Sequence, residues 1–244
     1  MPLSENLTIN GIALSTAIPG AHVLDVLIGA VEYEHYSTAR IKSVGSLFSH
    51  KHDGVRKITI KIELPINKQE DCLIHYSALR AWAEYEQPVQ VYLPVNAREY
   101  GDTYINCILT SISDLDVRRW YEPIELVFTA YDPYFYGGSF LVQCGETFTV
   151  SNGNAPPKYS IYASLKQAQN GVYWSLDGKA TITLNGLIGV GGLQVDPDTG
   201  LISLSGNSIN HLLALDSRFF EISIGEQHVF SGTCGHLSYI VRWK

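Results

Sequence analysis

"IELVFTAYDPYFYGG", residues 124–138, changes character halfway along its length. Ile124, Leu126, Phe128 and Ala130 recur at every second position, the spacing of a strand with one buried face. Asp132-Pro133 then ends that strand, because proline has no N–H to give to a ladder. Tyr131, Tyr134, Phe135 and Tyr136 crowd around the break, and so much ring surface must bury or lie against whatever the strand packs on. Gly137-Gly138 is expected to free the chain to change direction. The stretch reads as an aromatic latch at the exit of a β domain. Its plainer reading is a locally packed turn.

Towards the amino terminus the same alternation returns. "RKITIKIEL", 56–64, sets Ile58, Ile60, Ile62 and Leu64 on one face and Thr59, Lys61 and Glu63 on the other. Just before it, "SHKHDGV" carries Asp53-Gly54, a turn step expected to close a hairpin with the residues around Val44 to Phe48 and so to form an extended two-stranded arm. "EDCLIHYSALRAWAEYEQP", 70–88, switches period: Leu73, Tyr76, Leu79 and Ala83 recur at three and four, Asp71 stands at the start and Pro88 at the stop. This is the one helix the sequence predicts. "VQVYLP" and "YINCILTSI" return to strands.

Towards the carboxy terminus, "VSNGNAPPKYSI", 150–161, has the Asn-Gly and Pro-Pro steps of a connector, which places a domain boundary near 138–158 and divides the chain into 1–138 and 139–244. Beyond it "KATITLNG" reads as a strand ending at Asn185-Gly186, and "LQVDPDTGLISLSG" as two strands around a turn. "FEISIGEQHVF" reads as a hairpin about Gly225-Glu226, and "SYIVRW" as a closing strand. Many short strands separated by turns make a two-sheet sandwich or jelly roll. The fold class is mainly β, a β-rich α+β chain with one helix and a hairpin arm in its first half and a sandwich in its second.

Composition agrees. In 244 residues there are 15 Tyr and 21 Gly but a single Met, a balance that suits strands and tight turns. Net charge is −7, so nothing draws the whole chain to a nucleic-acid backbone. The amino terminus lacks a signal peptide's basic start and apolar core, and no stretch is long enough to span a membrane, so the chain is expected to be made in the cytoplasm with no membrane insertion. Cys72, Cys107, Cys144 and Cys234 form no Cys-x-x-Cys pair and are expected to be buried thiols.

Candidate chemistry is sparse. His50 and His52 share a face of an extended segment but lack a third ligand, so no metal is expected there. "DPDTG", Asp196 to Gly200, starts like a calcium loop without the rest of its ligands and reads as a turn. "GLIGVGGL", 186–193, matches no phosphate-binding pattern, and no cofactor is expected. Asp114 and Asp116 lack a companion acid, and neither a nucleophile elbow nor a zinc helix occurs, so the chain is read as a non-enzyme with no catalytic residue. Arg118, Arg119 and Trp120 in "RRWYEP" suit a protein interface or edge packing better than nucleic acid in an acidic chain.

"ELVFTA" running into "DPYFYG" resembles the end of the first domain in the distal tail proteins of long-tailed phages. The order of "LTINGIALS", the loop ending "HDGV", "RKITIKIEL", the single helix and the strands after it agrees, and the carboxy-terminal half is similar to the family's β-sandwich. Asp132, Pro133, Tyr134, Phe135, Tyr136 and Gly137 form the most specific part. "HKHDG" departs from the glycine and arginine that many members carry before Asp-Gly. The resemblance implies a split-barrel-like, ring-forming first domain and a galectin-like second one. It also implies a homohexameric ring at the virion tail tip that leaves a channel for DNA, which passes without specific binding. The implied partners are the tail tube protein, the hub or tape-measure end, and receptor-binding or baseplate proteins. The arm, 43–56, is expected to reach the adjacent subunit, with His50, His52, Asp53, Gly54, Arg118, Arg119 and Trp120 as candidate interface residues. An alternative is a carbohydrate-binding sandwich for host-surface glycans, with Tyr173 and Trp174 as stacking platforms.

Overall fold

A computed structural model describes residues 7–39, 46–93 and 103–244, and for 34–39, 46–52 and 117 it describes the backbone. The chain divides into two compact units, Met1–Phe135 with Lys244, and Tyr136–Trp243.

The first unit opens with β1 (Thr8–Ile9), β2 (Ile12–Ala13) and the short helix α1 (Leu14–Ala17), then β3 (His22–Ile28), β4 (Tyr33–Ala39), β5 (Ser46–Asp53) and β6 (Arg56–Glu63). Helix α2 (Cys72–Ala83) precedes β7 (Val89–Tyr92), β8 (Tyr104–Ile112) and β9 (Ile124–Ala130). Antiparallel pairing runs β3-β6-β9-β8-β7-β1-β2. β8 holds two neighbours in succession: Tyr104 to Cys107 pair with β7, and Ile108 to Ile112 pair with β9 across a register shift near Thr110. One strand thereby carries the sheet round a corner, as bulged strands do.

The alternation in β6 and β9 sets this core. Ile58, Ile60 and Ile62 stand opposite Phe128, Leu126 and Ile124, and all six are buried. α2 buries Cys72, Leu79, Trp82 and Ala83, while Leu73 is 63% exposed. The apolar face expected through Leu73 is thus rotated, because the indole of Trp82, donating to the Ile12 carbonyl at 2.9 Å, and Tyr76, donating to the Ser113 carbonyl at 3.0 Å, fix which side faces inward. Asp71 stands at the N-cap without a side-chain cap bond.

The arm exists, with a different partner strand. β5 pairs with β4, from Tyr33 opposite Asp53 to Ala39 opposite Ser46, and Asp53-Gly54 leads from β5 into β6 instead of closing a hairpin. The reason lies in β6, whose edges are both taken, by β3 on one side and β9 on the other.

The second unit comprises β10 (Phe135–Gln143), whose first residue belongs to the first unit, β11 (Thr147–Thr149), β12 (Ala155–Leu165), β13 (Gln169–Leu176) and β14 (Ala180–Ile188). It continues with β15 (Gly191–Asp196), β16 (Leu201–Leu204), β17 (Asn207–Ser208), β18 (Gln227–Gly232) and β19 (His236–Trp243). One sheet runs β17-β16-β15-β12-β19-β10 and the other β11-β18-β13-β14. Their inner faces share one core around Ile161, Trp174, Ile182, Val195, Phe230 and Leu237, the construction of a sandwich.

Three expectations are corrected here. The "connector" 150–161 enters β12, an 11-residue strand hydrogen-bonded on both sides; Pro156 and Pro157 are tolerated because the ladder to β19 shifts register between Ala155 and Lys158. β14 continues through Gly186, which takes φ +89° at the irregularity opposite Asn170 and Val172, so Asn185-Gly186 does not end the strand. Phe220 to Ser223 form no strand, so no hairpin forms about Gly225. Their backbone is held by side chains instead: Phe220 N–H donates to the Tyr159 hydroxyl and Ser223 N–H to His228 Nε2.

Candidate functional site

The residues singled out at 53–54 and at 131–134 meet in the first unit. β9 ends at Ala130, and Tyr131 to Tyr134 turn beside the base of the arm. Asp53, the last residue of β5, accepts a very short hydrogen bond from the Tyr134 hydroxyl on one carboxylate oxygen. Its other oxygen takes the Lys244 ammonium at 2.5 Å. The ammonium also lies 5.0 Å from the centre of the Tyr33 ring. Hydrogen bonding to Asp53, ahead of the cost of burial, raises the pKa of Lys244.

Arg56 lies beneath this group. It occupies the inward-facing parity of Ile58 and Ile60, is only 5% exposed, and stands opposite Ala130. Burial lowers its pKa, against the opposing influence of Asp53, Tyr134 and Tyr33. Its guanidinium carbon is 5.1 Å from the centre of the Phe135 ring, a cation–π contact, and its Nε has no hydrogen-bond acceptor among the described residues. Around Asp53, Tyr131, Asp132, Pro133 and Lys244 an open cleft of about 590 Å³ remains.

Chemically this is a fastening. A carboxylate that accepts from a phenol on one oxygen and from an ammonium on the other is held by charge-assisted hydrogen bonds on both sides. What it joins is the base of the β4–β5 arm to the motif after β9. Gly54 strengthens that joint, donating to the Glu32 carbonyl at 2.7 Å while the Glu32 N–H donates to the Val55 carbonyl at 2.8 Å. Phe135 and Tyr136 are buried and Tyr131 is 66% exposed, so the aromatic run divides between core and surface. Gly137 and Gly138 lie inside β10 without a left-handed φ, and the change of direction expected there does not occur.

The other candidates stand apart. His50 and His52 lie in β5, and their side chains are outside the described residues. Arg118, Arg119 and Trp120 precede β9, at the end of that strand opposite to the Asp53 cluster. There Asp116 caps a short turn by accepting from Arg118 N–H at 2.9 Å, and Arg119 pairs with Glu122 at 3.3 Å in an exposed position. In the second unit Trp174 is fully buried and donates to the Cys234 carbonyl at 2.7 Å, which removes it as a glycan platform; Tyr173 is half exposed. Asp196 to Gly200 form a turn, with Asp196 accepting from Asp198 N–H and the Thr199 hydroxyl.

Sequence reasoning missed Tyr33, Arg56 and Lys244. For Arg56 the signal was present, since a cation at the parity of Ile58, Ile60 and Ile62 has to be buried and needs an aromatic or anionic neighbour. Nothing local marks Tyr33 or Lys244, which arrive from distant positions.

By sequence the chain matches no family model and no curated protein. Among solved structures it is similar to the Dit (gp 19.1) protein of phage SPP1, described as a paradigm of hub adsorption apparatus in Gram-positive infecting phages. Identity is 13%, the TM-score is 0.74, and the match covers 98% of this chain and 99% of that one. A chain of the phage P2 baseplate, in its activated conformation with calcium, is similar at 7% identity and a TM-score of 0.50, over 91% of this chain and 90% of that one. The chain has, over almost its whole length, the fold of the SPP1 hub protein, and the resemblance read in the sequence holds at the level of the fold.

Proposed function

We propose that this chain is a structural, non-enzymatic protein of a phage tail tip or baseplate. Six copies form a ring that joins the tail tube to the receptor-binding apparatus and leaves a channel for DNA. The observation that carries the reading is the likeness to a phage hub protein over 98% of this chain and 99% of that one, so both units are accounted for together. The domains follow the same reading: 1–138 as the ring-forming part and 139–244 as a galectin-like sandwich directed to the receptor-binding or baseplate proteins. Asp53 and Gly54 fix the base of an arm that reaches the next subunit, as a heterologous contact closing on itself requires, and Arg118 to Trp120 serve a second contact. With a net charge of −7 the chain does not favour retention of DNA in a channel. Gold-labelled antibody against the chain should decorate one end of the tail in particles imaged by electron microscopy. Labelling of the capsid, or of no particle, would refute the placement.

A glycan-binding reading of the second unit draws on one observation. An open cleft of about 480 Å³ is lined by Tyr162, Ser164, Gln194, Ser203 and His236 together with Ala163, Leu193 and three glycines, and Tyr162 and His236 stack at 5.7 Å. Tyr173 does not line it.

A further inference from the structure

The four cysteines divide by environment. Cys72 and Cys107 are fully buried in the first unit, and burial pushes the Cys107 thiol up to about 12. Cys144 and Cys234, expected from the sequence to be buried like the others, are only partly covered, and both pack against the core of the second unit.

The backbone brings these two together. Cys144 directly follows β10 and Cys234 closely precedes β19. Cys144 N–H donates to the Gly235 carbonyl at 3.2 Å, so Cys144 faces the residue next to Cys234 across a backbone hydrogen bond. Residues opposed in such a pair have Cα atoms about 5.5 Å apart, and Cys234 lies one residue, about 3.8 Å, beyond Gly235, which puts its Cα near the limit of about 7 Å that a disulfide tolerates. Both segments are pinned in place: Gly145 N–H donates to the Phe230 carbonyl at 2.8 Å, and the Cys234 carbonyl receives the Trp174 indole at 2.7 Å. Each side chain faces the same core, and the two thiols are close enough for Cys234 to raise the pKa of Cys144 after burial has done so.

We propose that Cys144 and Cys234 are a disulfide-forming pair that stays open in a reducing compartment and closes when the assembled protein meets an oxidising medium. The oxidant is a small-molecule disulfide. One protein thiolate attacks it, releasing one small thiolate and leaving a mixed disulfide; the second protein thiolate attacks that bond and expels the other small thiol. Two protein thiols have then given up two electrons and two protons, and one external disulfide has become two thiols. Burial raises both thiols and keeps the thiolate fraction low, so closure is slow, a maturation cross-link instead of a fast switch. The bond ties the end of β10 to the approach to β19, two strands adjacent in one sheet. Only the occasion for oxidation, departure of a virion from its host, rests on the tail reading; the chemistry does not.

The test uses the full chain held in oxidised glutathione beside a sample held in dithiothreitol, with intact mass, thiol titration and a non-reducing peptide map. The expected result is a loss of two hydrogens in mass, two of the four thiols gone, and a peptide joining Cys144 to Cys234. The melting temperature of the oxidised sample should be higher by roughly 5 °C or more. Cys144→Ser should abolish the joined peptide, and Cys72→Ser should leave it. Four titratable thiols after prolonged incubation, glutathione adducts alone, or a bond involving Cys72 or Cys107 would overturn the proposal. Bridge formation in a chain that never assembles would count against the tail reading alone. Assembled rings lacking the bridge after oxidation would count against the cross-link alone.

Discussion

Asp53 takes donors on both carboxylate oxygens, from Tyr134 and from Lys244, at the point where the arm leaves the sheet. Asp53→Asn keeps the shape and removes the charge, leaving Arg56 buried with less compensation. We expect a loss of about 1.5–3 kcal/mol, the range for hydrogen bonds to charged groups, measured by urea unfolding. Lys244→Ala should cost less than about 1 kcal/mol, because its side chain is 36% exposed and solvent screens the pair. Equal costs for the two would show that the carboxylate matters only through the lysine. A second residue-scale test lies at Asp177, in the turn between β13 and β14. Burial pushes its pKa up, but hydrogen bonds from His228 and from Val229 N–H outweigh that and leave it lowered. A depressed carboxylate stabilises the fold above its unfolded pKa, near ~3.9, and that contribution disappears as pH falls through the lowered folded value. The stability gap between the wild type and Asp177→Asn should therefore be full at neutral pH and shrink below about pH 4. A gap that widened on acidification would contradict the assignment.

At the scale of elements, strands with one buried face were legible because period two survives any tertiary context: β6 and β9 lie where the alternation of Ile58 to Ile62 and Ile124 to Ala130 puts them, and β19 covers the closing strand read at 238–243. Partner choice was not legible. The sequence around β5 says only that it is extended, and its pairing with β4 follows from β6 being occupied on both edges. Turn chemistry misled at Pro156-Pro157 and Asn185-Gly186, where a bulge lets a strand absorb residues that ordinarily end one. The site was half legible: Asp53 and Tyr134 were both singled out, and their meeting required the fold. The arm carries its own prediction. Replacing residues 34–52 with a short flexible linker, which keeps Asp53, Gly54 and Arg56 in place, should leave the chain folded by circular dichroism but unable to form closed rings, because an edge strand offered to a neighbour would be lost. Intact rings without the arm would sink its proposed role.

At the scale of the molecule, two units of different architecture lie in one chain, and the fold of a phage hub protein accounts for both over 98% of the length. At 13% identity the likeness is one of fold, not of a continuous sequence match. The ring remains the central claim of the proposed function, and one measurement tests it most directly: the solution mass of the purified chain by light scattering, with negative-stain imaging of the same peak, alone and with its tail tube protein added. The account predicts six copies of the 27.0 kDa chain in a six-fold ring with a central opening, alone or on the tube as template. A monodisperse monomer under both conditions, and above all one that binds a neutral glycan, would contradict it.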